Sequence, residues 1–95
     1  MNITFRQLRV YAEVAQQGSM ARAAATLHLT PPAVSMQIKE VETQVGLALF
    51  ERTPAGMALT SAGRRLLSQA QSVLSAAQAL RHEAGTLRGE LAGTI

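Results

Sequence analysis

The chain has no cysteine and no tryptophan, and aromatic residues make up only 3% of its 95 residues. Without cysteine there can be no disulfide and no thiolate-ligated zinc, and nothing points to the secreted, disulfide-stapled class. No apolar run approaches the roughly 18 residues of a membrane-spanning helix, and the N-terminus lacks the apolar segment of a signal peptide. A soluble cytoplasmic protein is expected. Acidic residues are also scarce: six Asp and Glu against nine Lys and Arg leave a net charge of +3. That excess suits an anionic partner without specifying one. Enzyme signatures are missing as well. There is no G-x-S-x-G and no glycine-rich phosphate loop. The neighbouring carboxylates Glu40 and Glu42 would project about 160° apart on a helix and cannot share a substrate. His28 and His82 have no second ligand at metal spacing. Neither catalysis nor a resident metal or cofactor is expected.

What is present is a helical pattern rich in alanine and leucine, 47% hydrophobic overall and long enough for one domain with one modest core. Thr4 followed by Gln7 is a capping-box pattern at a helix start. Phe5, Leu8, Tyr11, Ala12 and Ala15 then recur at helical spacing, and Gly18 stops this first helix. Ser19 can cap a second, short helix in which Met20, Ala23, Ala24 and Leu27 form a small-residue face that permits close approach. His28-Leu29 makes a tight connection.

The stretch TPPAVSMQIK, residues 30–39, has adjacent prolines followed by good helical pattern. Thr30 is an N-cap, and Pro31 takes the first helical position, where its missing N–H is no loss. Pro32 lies in the same first turn, whose N–H groups lack intrahelical partners in any helix. The prolines therefore start this third helix, 31–45, which ends at Gly46. On a helical wheel Val34, Ile38, Val41 and Val45 share one side, and Pro32, Ser35, Met36 and Lys39 share the opposite one. A helix N-terminus with its free N–H groups would suit phosphate.

Residues 49–59 read as a two-stranded hairpin about the turn Thr53-Pro54-Ala55-Gly56. Thr60 caps a long helix over 61–88, in which Leu66, Ala70, Val73, Ala77, Leu80, Ala84 and Leu87 alternate spacings of four and three. This is a heptad seam that a domain of some 60 residues cannot cover, so a homodimer through this helix is expected. Gly85, Gly89 and Gly93 are expected to loosen the chain, with a hinge over 89–95 leading to a further domain. The fold class is thus mainly α: a winged helix-turn-helix over 3–60, with the helix-turn-helix at 20–39 and the wing at 49–59, followed by a dimerisation helix. That arrangement would set the third helix in a DNA major groove. The rival reading is a helical dimerisation module whose winged domain binds protein, with only non-specific affinity for DNA. A protein-binding face should be larger and more apolar than the one around Met36.

The joined pieces FRQL, S-x-x-RAA, L-x-L-T-x-P-A-V-S-x-Q-I, E-x-x-x-G-x-x-LF-x-R and LT-x-AG, in order over about residues 3–63, resemble the LysR-type bacterial transcription regulators. The stretch LTPPAVSMQIKEVE is most similar to the regulators of carbon-dioxide-fixation operons. The resemblance implies a winged helix-turn-helix dimer joined by antiparallel linker helices, a tetramer in the longer protein, and a small-molecule effector bound by a C-terminal domain outside this sequence. It implies base contacts from Pro32, Ser35, Met36 and Lys39, phosphate contacts from Ser19, Arg22, Thr30, Gln37 and Thr60, and a wing contact from Arg52. Two departures stand out. Many members carry Gln where this chain has Pro31, and Arg where it has Met36. Met36 cannot make a bidentate contact to guanine, and apolar contact with thymine methyls is its natural substitute. The wing tip Pro54-Ala55-Gly56 lacks a second basic residue, so minor-groove reading would rest on Arg52. Arg64 and Arg65 read as a solvated face.

Overall fold

The computed structural model describes residues 1–91 as α1 (Phe5–Gln17), α2 (Met20–Leu27), α3 (Pro31–Val45), β1 (Phe50–Thr53), β2 (Gly56–Leu59) and α4 (Ser61–Leu91). The helix boundaries follow from capping chemistry. Thr4 and Gln7 form a reciprocal capping box at α1, and Gly18 ends that helix in the left-handed region at φ 66°. Ser19 caps α2, which ends at His28, also left-handed at φ 59°. Thr30 caps α3, with Pro31 and Pro32 in its first two positions and Gly46 closing it. β1 and β2 pair antiparallel with Phe50 opposite Leu59 and Thr53 opposite Gly56, leaving Pro54-Ala55 as a two-residue loop.

α1 occupies the middle, packed against α2, α3 and α4. Its buried face is Gln7, Val10, Tyr11 and Val14. The stripe expected from spacing is therefore rotated: Tyr11 is core, Leu8, Ala12 and Ala15 are half-buried, and Phe5 is 56% exposed. Neighbours on three sides shift burial away from the stripe that spacing alone suggests. Val34, Ile38 and Val41 of α3 and Ala23 and Ala24 of α2 close the core from below, and Leu49 and Phe50 close it from the wing. The Phe50 ring meets Tyr11 edge-on at 5.7 Å.

α4 differs from expectation at both ends. It continues through Gly89 to Leu91, past the hinge expected from residue 89. The rest of that hinge, 92–95, lies outside the described residues. At its start, Ala70 is 4% exposed and Leu66 packs on the domain core, so these two members of the expected dimer seam are covered by their own domain. The heptad pattern cannot separate a stripe used within the chain from one used between chains. α4 runs alongside α1 as far as Arg81, where it lines a groove with Phe5 and Arg9, and extends beyond the domain after that; the long axis reaches 58 Å.

Candidate nucleic-acid interface

The outer ridge of α3 is built as the wheel suggests. Pro32, Met36 and Lys39 are exposed, Met36 at 60%, while Ser35 and Gln37 are half-buried on its flanks. A methionine this exposed is an apolar group without a core to fill, at the centre of the face where base edges would lie.

The ridge is held by hydrogen bonds to three other parts of the chain. Glu42, on the inner flank of α3, accepts from the Leu49 amide at 2.7 Å and the Phe50 amide at 3.3 Å, which ties the helix to the root of the wing. Glu40 accepts from buried Gln7 Nε2 at 2.7 Å, tying it to α1. The Asn2 amide donates to Gln44 Oε1 at 2.8 Å. Spacing gave no sign of these roles, because the partners lie 7, 33 and 42 residues away. Both carboxylates flanking the ridge thereby receive N–H donors, which tempers their repulsion of an approaching polyanion.

The N-terminus of α3 departs from the phosphate-binding expectation. Pro31 and Pro32 have no N–H, Ala33 N–H donates to Thr30 Oγ1 at 3.2 Å, and Val34 N–H donates to the Thr30 carbonyl at 3.1 Å. No first-turn amide of α3 is left for phosphate, and the prolines that make the helix start so well are the reason. α2 is the opposite case. Ser19 Oγ and O take the amides of Arg22 and Ala23, while the amides of Met20 and Ala21 have no acceptor within the helix. Ser19 and Thr30 each use a lone pair in capping and keep a hydroxyl proton to donate. Arg22 and Thr30 are exposed.

The wing lies against this same α2 start. Met57 N–H donates to the Gly18 carbonyl at 3.1 Å, and a Cβ on Gly56 would come within 2.5 Å of that oxygen. With its φ of 133°, only glycine fits there. Ser19, Met20 and Arg52 consequently line one shallow groove with the wing turn. The structure brings together Ser19 and Arg52 from the expected phosphate set. It sets Thr60 apart: its hydroxyl donates to the Ala48 carbonyl at 2.7 Å and accepts from Gly63 N–H at 2.9 Å. That hydroxyl is occupied as the cap of α4, with no proton left for a phosphate.

Beneath the wing, the Tyr11 hydroxyl donates to the Gly63 carbonyl, joining α1 to the first turn of α4. Burial pushes the Tyr11 phenol up from 10.0 to about 12. A Cβ on Gly63 would lie 2.1 Å from the Leu49 carbonyl oxygen, so this crossing admits no side chain. Among the described residues, no helix is long and apolar enough to cross a membrane.

Residues 5–64 match the family described as bacterial regulatory helix-turn-helix protein, lysR family. The HTH-type transcriptional regulator CfxR of Cupriavidus necator is 53% identical over 58 residues, covering 61% of this chain and 18% of that protein. A RuBisCO operon transcriptional regulator of Allochromatium vinosum is 50% identical over 60 residues, covering 63% of this chain and 20% of its own length. The chain thus spans about a fifth of these curated relatives. Among solved structures, the crystal structure of a CbnR_DBD–DNA complex superposes with a TM-score of 0.83 at 34% identity, covering 88% of this chain and 97% of that one. Full-length CbnR complexed with its target DNA gives 0.79 at 36% identity, covering 90% and 30%.

Proposed function

This chain belongs to the lysR family of bacterial regulatory helix-turn-helix proteins, and from that premise we propose that it is the DNA-reading and dimerising part of a transcription regulator. α3 lies in the major groove of double-stranded DNA, with Pro32, Ser35, Met36 and Lys39 at the base edges. Ser19, Arg22, Thr30 and Gln37 contact the backbone, and Arg52 follows it from the wing. Two copies joined through α4 bind a dyad-symmetric operator, with half-sites one helical turn, about 34 Å, apart. In the longer protein the dimers pair into a tetramer, and a small-molecule effector acts through a further domain; the setting is the cytoplasm. The names of the relatives support an operon of carbon-dioxide fixation as the target.

The observation that carries this reading is the exposed α3 ridge, held against α1 and the wing root by bonds to Glu40 and Glu42, with the wing itself tied to the α2 start at the Gly18 carbonyl. A rigid, protruding, proline-started helix beside a basic groove is a geometry for reading a duplex. Selection from a random duplex pool at moderate salt, followed by sequencing, tests it. A two-fold symmetric motif with half-sites one turn apart is the expected result. Binding that selects no sequence and vanishes as salt rises would refute it, and would favour a protein partner for the α3 face.

A further inference from the structure

Resting on the DNA-reading role of α3 above, we propose that Met36 is a reversible oxidation site: a peroxide converts its thioether to the sulfoxide, which releases the operator, and a thiol-dependent sulfoxide reductase restores binding.

Composition and burial narrow the target. The chain has no cysteine and no tryptophan, so its four methionines are the side chains a peroxide oxidises first. Met20 and Met57 are half-buried and packed on the domain core. Met1 is exposed but lines a separate apolar hollow with Ile3 and Val45. Met36 is 60% exposed and takes no part in the core. Its sulfur is open to attack in the free protein, and a polar group there costs the fold little.

The surroundings suit the product better than the reactant. Met36 lines a polar hollow with Asn2, Lys39, Thr43 and Gln44. Glu40 lines it too, with its carboxylate engaged by Gln7 Nε2 at 2.7 Å. A thioether is only a weak acceptor, so these donors gain little from it. A sulfoxide oxygen is a strong one. Lys39, three residues on and on the same helix face, can hold that oxygen and is thereby drawn off the base edges.

In the forward step a sulfur lone pair attacks one peroxide oxygen. The S–O bond forms as the O–O bond breaks, and the proton of the transferred oxygen passes to the departing hydroxide, which leaves as water. Sulfur loses two electrons and the peroxide gains them. In reverse, two reductase thiols become a disulfide and the oxygen leaves as water.

The major groove accounts for the release. A thymine methyl suits an apolar thioether, whereas N7 and O6 of guanine, N7 of adenine and O4 of thymine are all acceptors. A sulfoxide, itself an acceptor without a proton, repels them and loses its hydration without return. Contacts to phosphate from the α2 start and the wing are untouched, so the loss falls on sequence preference. The coupling is reciprocal: a bound operator covers the sulfur and slows its oxidation.

The chain is treated with dilute hydrogen peroxide, and the added oxygens are located by peptide mass spectrometry. Met36 should oxidise ahead of Met20 and Met57, and more slowly when the selected operator is bound. Affinity for that operator should fall by about tenfold or more, the scale of one lost base contact, while affinity for random duplex and the urea midpoint stay level. Methionine sulfoxide reductase with dithiothreitol should restore binding. Met36→Leu, compared with its own untreated affinity, should not respond to peroxide. Full oxidation of Met36 with operator affinity unchanged overturns the proposal, and so does an equal loss in Met36→Leu. Oxidation of Met36 no faster than that of Met20 and Met57 overturns it as well. Untreated protein that selects no sequence overturns the DNA-reading role itself.

Discussion

Replacing Tyr11 by phenylalanine keeps the ring packed on Phe50 and removes one hydroxyl, which isolates the bond to the Gly63 carbonyl. Below pH 9 the loss should be modest. As a helical carbonyl, Gly63 retains its intrahelical donor, so the variant forfeits a net hydrogen bond of about 1 kcal/mol. For a domain of this size that lowers Tm by about 4–8 °C. The informative region is alkaline. The folded phenol titrates near 12 and the free one at 10.0. Between those values the unfolded chain is ionised while the folded one still holds its proton, so the wild type loses stability as pH rises. The loss reaches about 1.4 kcal/mol at pH 11 and approaches about 2.7 kcal/mol above pH 12. Phenylalanine has no such term. The two urea midpoints, measured in parallel from pH 7 to 11.5, should therefore converge and cross near pH 11, beyond which the variant is the more stable protein. A stability difference that stays constant across that range would refute the assignment of a buried, neutral, hydrogen-bonded phenol.

Four further outcomes are expected. Arg22→Ala should weaken binding to all duplexes and flatten the log–log salt dependence by about one unit; an unchanged slope would remove its phosphate contact. Met36→Arg should move the selected base at one half-site position to guanine, since a guanidinium can bridge O6 and N7; an unaltered preference would make Met36 a bystander. Glu42→Ala should cost about 1.5–3 kcal/mol in urea unfolding, the range for hydrogen bonds to a charged group, and Glu42→Gln, which keeps an acceptor oxygen, should cost less. Gly63→Ala, with a Cβ 2.1 Å from the Leu49 oxygen, should destabilise by about 3 kcal/mol or more, because backbone and not a movable side chain is in the way. A midpoint close to wild type would show that the α4 start can shift.

Local chemistry was legible in the sequence, and long-range chemistry was not. Thr4 with Gln7, Ser19, Thr30 before two prolines, and the glycines at 18 and 46 each satisfy a helix end within a few residues, so both ends of α1 and α3 and the start of α2 follow from local sequence, whereas α2 ends at His28 in the left-handed region without a glycine. Glu42, Gln7 and Tyr11 act on partners brought near by the fold, and no periodicity carries that information. The expected face of α1 was rotated for the same reason, since three neighbours rather than one decide what is buried. On α4 the heptad pattern was real, but burial assigned its first members to the chain's own core. The prolines of α3 held a further signal in plain sight. A residue without an N–H cannot offer one to phosphate, and that local fact outweighs the general preference of helix starts for anions.

That last point divides labour in the proposed complex. α3 has neither a first-turn amide for the backbone nor an arginine for guanine, so its ridge contributes shape and short contacts: Pro32 and Met36 toward thymine methyls, Ser35 and Lys39 toward polar edges. Backbone anchoring falls mainly to the α2 start and the wing, where Ser19, Met20 and Arg52 share one groove, with the side chains of Thr30 and Gln37 adding contacts from the flanks of α3. Substitutions at Arg52 and Arg22 should then change affinity and salt dependence with base preference intact, and substitutions at Met36 should do the reverse. Glu42 is the exception that links the two. It holds α3 to the wing root, so loosening it should degrade both properties together, because bases can be read only by a ridge whose distance from the phosphates is fixed.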